Sequence, residues 1–149
     1  MAKGYLVSRR FRMPESADGM AQGYWFNMWA KRLWPFRDLQ AGDRLFWLES
    51  PSRVVTWASR VQRVERFAYQ NKPEACRLME AAFGSLDRQQ PYFVDAPDEG
   101  VCIAWNVEGS HRLHLARPPA FRMPRLGWAK LDETRAEWPE LATAMRSIA

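Results

Sequence analysis

Few side chains in this sequence are suited to moving protons or electrons. The two histidines, His111 and His114, are three residues apart. On a strand that spacing sends them to opposite faces, and with Cys102 they make no metal-ligand pattern. No Ser-His-Asp or Cys-His set falls in a nucleophile motif, and no glycine loop could cradle a phosphate. Neither a metal nor a cofactor is expected. What the chain has in excess is tryptophan and arginine. Five of its eight tryptophans, Trp25, Trp29, Trp34, Trp47 and Trp57, lie within 33 positions of one another, and Trp105, Trp128 and Trp138 follow. An indole carries a flat π face and an N–H that needs a partner, so a core seldom uses so many. The chemistry on offer is stacking, which holds a base with ~1–3 kcal/mol per aromatic contact.

The cations point the same way. Of 22, 18 are arginine, whose planar fork binds phosphate bidentately and stacks on bases. A GC-rich genome also raises arginine, but it does not explain the placement. Residues 1–70 carry 12 Lys/Arg against 6 Asp/Glu, and residues 71–149 carry 10 against 11. A basic half implies an anionic partner, most commonly nucleic acid.

These residues need elements to position them. The chain of 149 residues is one ordinary domain, long enough to bury a core without staples. No apolar run reaches the ~18 residues of a membrane span, and the opening MAKGYLVSRRF lacks a signal-peptide pattern. A cytoplasmic chain with reduced Cys76 and Cys102 is expected. Residues 4–9 read as a strand. Ser16 or Asp18 would cap a helix over 19–33, on which Trp25 and Trp29 share a face at a spacing of four. Trp34 and Pro35 would end it. Residues 42–50 and 53–68 read as a hairpin of strands, 72–84 as a helix stopped by Gly84, and 85–99 as a surface loop. Strands follow at 100–107 and 111–116, then a proline-bearing stretch to GWAKLD at 127–132. A C-terminal helix at about 133–148 closes the chain, with Asp132 as its cap. The sum is an α+β fold of mostly antiparallel strands, a partly open barrel with flanking helices and a pocket at its mouth.

Three segments read together: GYWFNMWAKRLW (23–34), AGDRLFWLESPSRVVTWASRVQRVERF (41–67) and FRMPRLGWAKLD (121–132). Their order resembles the PUA-like superfamily, in particular its EVE, YTH and ASCH branches. There a basic, aromatic first helix precedes a Gly-Asp element, here Gly42 and Asp43. A strand, a serine turn (Ser50, Pro51, Ser52) and a long strand from Val54 to Phe67 then follow. The first strand, Tyr5-Leu6-Val7, departs from the aromatic-rich EVE opening. The resemblance implies one PUA-like domain over 1–149 that reads a modified base in DNA or RNA. It also implies association with a nuclease or other effector, as in modification-dependent restriction or defence systems.

Such a reader flips a base into an aromatic cage, at a cost of a few kcal/mol. The expected base-binding residues are Trp25, Asn27, Trp29, Trp34, Trp47, Ser50 and Trp57. Asn27 and Ser50 would read the base edge, with Asp95 and Asp98 as further acceptors. Arg9, Arg10, Arg12, Lys31, Arg32 and Arg37 would hold the flanking phosphates. For several of these the plain alternative is a core indole or a solvated charge. Trp128 and Trp138 are expected to be structural, and Trp105 core or pocket floor. No enzymatic role is expected. Two rival readings remain. One is an ASCH-like hydrolase or ribonuclease acting on nucleosides or RNA, with Lys31 and Glu49 as the nearest catalytic pair. The other is a protein-interaction subunit docking through exposed tryptophans.

Overall fold

The structure, a computed structural model, describes residues 3–131 and 138–147. Six strands form one curled sheet: β1 (Gly4–Arg9), β2 (Trp25–Trp29), β3 (Arg44–Glu49), β4 (Val54–Tyr69), β5 (Gly100–Ala116) and β6 (Trp128–Leu131). Their order is β2-β5-β4-β3-β1-β6. The β1–β3 pairing is parallel and the others are antiparallel. Among the described residues four helices flank the sheet: α1 (Ala17–Gln22), α2 (Lys72–Phe83), α3 (Pro91–Val94) and α4 (Pro139–Ser147). Among the described residues, no helix is long and apolar enough to cross a membrane.

Period-two alternation sorts the strand side chains into layers. Tyr5, Val7, Leu45, Trp47, Ile103, Trp105 and Val107 point into the inner core, with Trp25, Trp57 and Trp128. Their neighbours Leu6, Phe46 and Leu48 face outward and are covered by Trp138, Leu141 and Met145 around α4. Phe26, Met28, Cys102 and Ala104 face outward at the other end, under Ala75, Cys76 and Met79 of α2 and Phe93 of α3. Both cysteines are free and buried.

Three expectations need correction. The segment 19–33 is not one helix. It is α1, which ends at Gln22, followed by strand β2. A spacing of four is also a multiple of two, so Trp25 and Trp29 share a face on a strand as they would on a helix. In addition, β2 is covered on both faces, with four of its five residues buried, so WFNMW shows no polar alternation to betray it. The strands expected at 100–107 and 111–116 are one element, β5, which passes through Gly109 at φ 59°. Three register shifts against β4 absorb its bending, as bulges do at the rims of curled sheets.

The stretch 85–99, expected as a surface loop, carries the short helix α3, whose buried Phe93 packs in one cluster with Phe26 and Met28 of β2. The other boundaries agree. Ser16 caps α1, its hydroxyl accepting from the Gly19 N–H at 3.0 Å. The hairpin β3–β4 pairs Leu45 with Ser59 and Trp47 with Trp57. The Gly-Asp element is structural. Gly42 sits at φ 93°, which favours glycine, and the buried Asp43 carboxylate accepts from the Lys3 and Gln40 N–H groups. The C-terminal helix is described from Pro139, while residues 132–137, including the expected cap Asp132, lie outside the described residues.

Candidate nucleic-acid interface

A cleft of ≈ 490 Å³ opens where β1, β2, α3 and the turn before β6 meet. Its floor holds Ser8, Asn27 and Ser50, and its apolar walls include Met28, Leu33, Met123 and Leu126. Trp29 and Tyr92 supply aromatic surface, and Arg10, Arg117 and Arg125 supply cationic surface. Asp95 also lines it, paired with Arg10 at 3.0 Å.

Local structure explains why these groups converge. Trp29 ends β2 beside the start of β5, where a Cβ on Gly100 would lie 2.0 Å from the Trp29 carbonyl oxygen. Only glycine allows that approach. Arg125 sits inside a tight turn closed by the Gly127 N–H donating to the Pro124 carbonyl at 3.0 Å. Gly127 has φ 81°, and its own carbonyl accepts from the Ser8 N–H at 2.8 Å, which pins the turn to β1. Arg117 leaves β5 with its N–H donating to the Arg53 carbonyl. Tyr92 latches α3 onto β1: its hydroxyl accepts from the Arg10 N–H and donates to the Ser8 carbonyl.

The expected site residues divide into three groups. Asn27, Trp29, Ser50 and Arg10 line the cleft. Asn27 is buried and its Oδ1 accepts from the Trp128 indole at 2.9 Å, while the Ser50 and Ser8 hydroxyls are 2.6 Å apart. Trp34, Arg32 and Arg37 lie in a neighbouring groove of ≈ 210 Å³ with Phe36 and Asp38. Leu33 borders both cavities. Trp34 is 38% exposed, its ring 5.7 Å from that of Tyr5. Arg12 and Lys31 are exposed and line neither cavity.

The third group is sealed inside. Trp25, Trp47 and Trp57 are buried. Trp25 packs on Trp47 at 4.6 Å, and the Trp47 and Trp57 indoles donate to Ser59 Oγ and the Pro14 carbonyl. Buried and packed against one another or the surrounding core, these rings present no free face to a base. Arg9 is likewise 1% exposed, so it does not reach a phosphate from this position. Its guanidinium lies over the Tyr92 ring at 4.2 Å and donates to the Phe26 carbonyl at 2.9 Å. Burial without a carboxylate partner among the described residues holds its pKa below the usual arginine range.

The catalytic pair weighed for a hydrolase is not assembled in the cleft. Glu49 is buried, its carboxylate taken by the Met13 N–H at 2.9 Å, and neither Lys31 nor Glu49 is among the lining residues. Asp98 also lies off the cleft.

Sequence reasoning missed Ser8, Tyr92, Arg117 and Arg125. Tyr92 stood in a segment read as plain loop, although its aromatic pair Tyr92-Phe93 after Pro91 is a usable sign of a docked turn. Arg125 belongs to the PRLG run, whose Pro and Gly mark a turn that would present it.

The curled, mostly antiparallel sheet with β1 inserted parallel to β3, and helices on its outer faces, makes a small α+β half-barrel fold. Solved structures of ASCH from Zymomonas mobilis share it. One aligns at a TM-score of 0.59 with 15% identity, covering 96% of this chain and 94% of that chain. A tyrosine-to-phenylalanine variant of that protein gives 0.60 and 13% over 96% and 98%. A serine-to-alanine variant gives 0.59 and 16% over 96% of each chain. The sequence matches no protein-family model and no curated protein. At these identities the likeness is one of fold.

Proposed function

We propose that this chain is a nucleic-acid-binding module that holds one unstacked base, carrying a modification, in the cleft beside Trp29 and Tyr92. The observation that carries the reading is the meeting of three arginines, two aromatic rings and a polar floor around one ≈ 490 Å³ opening. Arg117 and Arg125, with the Arg10 nitrogens that Asp95 leaves free, hold the phosphates on either side, and counterion release makes that part of the affinity salt-dependent. Extrusion of a base costs a few kcal/mol, and each aromatic face returns ~1–3 kcal/mol. The groove at Trp34, with Arg32 and Arg37, takes the neighbouring nucleotide across Leu33. A methyl group on the base buries against Met28, Met123 or Leu126 and adds roughly 0.8 kcal/mol.

The test is fluorescence anisotropy with short single-stranded RNA and DNA, unmodified and base-methylated. Binding weakens steeply with salt, methylated bases bind tighter, and Trp29→Ala and Trp34→Ala both weaken the complex. Equal, weak binding of every oligonucleotide, unaffected by either substitution, would overturn the proposal.

A further inference from the structure

We infer that the cleft selects a base that presents a carbonyl oxygen, such as uracil, thymine, cytosine or guanine, and disfavours adenine, because Asn27 can only donate into it. The inference rests on the base-binding reading above and sharpens it.

An asparagine amide has a donor end and an acceptor end, and which one faces a ligand is ordinarily ambiguous. Here a neighbour decides. The Trp128 indole nitrogen is a donor with no acceptor capacity, and it donates to the Asn27 side chain at 2.9 Å. The atom facing Trp128 is therefore the oxygen. Trp128 is 1% exposed, so that oxygen points toward the core and Nδ2 points away from it. Asn27 lines the cleft. Among the described residues its Nδ2 has no acceptor, yet it is not among the buried unpaired atoms, which leaves the cleft as the place it faces. Swinging the amide over would leave the indole N–H unpaired in the core, a costly state.

The usual asparagine contact to adenine is bidentate: the oxygen accepts from N6 while the nitrogen donates to N7. With Oδ1 committed to Trp128, only the donating half remains. The rest of the floor agrees. The Ser8 and Ser50 hydroxyls are 2.6 Å apart, so one donates to the other and the second proton is free for a ligand. The one carboxylate among the lining residues, Asp95, is held by Arg10 at 3.0 Å. Two protons offered into one cleft suit the two lone pairs of a carbonyl oxygen better than adenine's edge, where a single ring-nitrogen acceptor sits beside the N6 amine donor.

Hexanucleotides that carry a single base among abasic sites isolate the base contribution, with the fully abasic hexamer as reference. Fluorescence anisotropy with the intact chain should rank uracil above adenine by on the order of tenfold, the span of one good base-edge contact. Asn27→Asp keeps the acceptor that Trp128 needs and turns the cleft-facing donor into an acceptor, so, measured against the abasic hexamer, uracil should lose its advantage and adenine should equal or overtake it. Trp128→Phe frees the amide to rotate and should bring the uracil-to-adenine ratio toward one, while the abasic hexamer binds as before. A thermal melt by circular dichroism checks that each variant is folded, and the wild-type ranking stands independently of both variants. If uracil and adenine bind the wild type equally, both above the abasic hexamer and both salt-dependent, this inference is overturned and the base-binding function stands. If no base improves on the abasic hexamer, both fall.

Discussion

Two aromatic regions lie within one small sheet, and they are built differently. In the interior, Trp25, Trp47, Trp105 and Trp128 contact one another in series at centroid separations of 4.6, 6.3 and 5.1 Å. All four are buried. At the mouth, Trp29 and Tyr92 are only part-buried and are set among arginines rather than among other indoles. Tryptophan abundance alone therefore does not mark a binding site. What separates the two regions is whether a ring has a face left exposed once its neighbours are packed.

The largest expected effect falls on the interior. Trp47→Ala removes a 0%-exposed ring and its bond to Ser59, and should lower unfolding stability by about 3–5 kcal/mol in urea titrations. By contrast Arg117→Ala and Arg125→Ala should stay within about 0.5 kcal/mol of the parent. If Trp47→Ala folds with unchanged stability and loses only ligand affinity, the interior is a site and the distinction collapses.

Next comes the cationic rim. Arg10, Arg117 and Arg125 replaced together by Ala should cut single-strand affinity and lower the slope of log K against log salt by roughly 2, given about 0.7 per neutralised phosphate. A slope that does not change would show that the phosphates run elsewhere, with Arg32 and Arg37 as the first alternative. A smaller loss follows from Trp29→Ala. Deleting a part-buried stacking face should weaken base binding by ~1–3 kcal/mol, with a stability change below that of Trp47→Ala. Equal losses in stability at Trp29 and Trp47 would merge the two regions into one core.

How far the sequence revealed this contrast depends on the segment. The hairpin β3–β4 was legible because the turn residues Pro51 and Ser52 separate two β-branched, aromatic runs. The fold class and the open barrel were also legible, since the order of elements constrains how strands pair. Strand β2 was misread as helix because a spacing of four satisfies both periods and both its faces are covered. The cleft was legible in part. Asn27, Trp29, Ser50 and Arg10 were anticipated, but Tyr92, Arg117 and Arg125 lie 82 to 115 positions away from Arg10. They have no periodicity; the pairing of β1 with β6, the docking of α3 and the bond from the Arg117 N–H to the Arg53 carbonyl bring them in. The basic first half therefore supplies one arginine to the rim and the nearly neutral second half supplies two, which charge counting by halves does not reveal.

Arg9 lies at the boundary of the two regions and gives the smallest expected effect. It follows Ser8 and precedes Arg10, both of which line the cleft, yet strand alternation turns it inward against Trp105, at 5.0 Å from its ring. Its Nε has no partner, and no carboxylate pairs with it among the described residues, so its charge is bought with desolvation and supported by one carbonyl and two rings. Arg9→Met keeps the length and apolar stem, removes the buried charge and leaves the Phe26 carbonyl without that donor. Those changes oppose each other, and stability should move by about 1 kcal/mol or less, with oligonucleotide affinity within about twofold of the parent. A stable variant that has lost binding would move Arg9 from the interior to the site, through a rearrangement of Tyr92 that exposes its guanidinium. An unchanged affinity fixes the dividing line between the two regions at the backbone of β1.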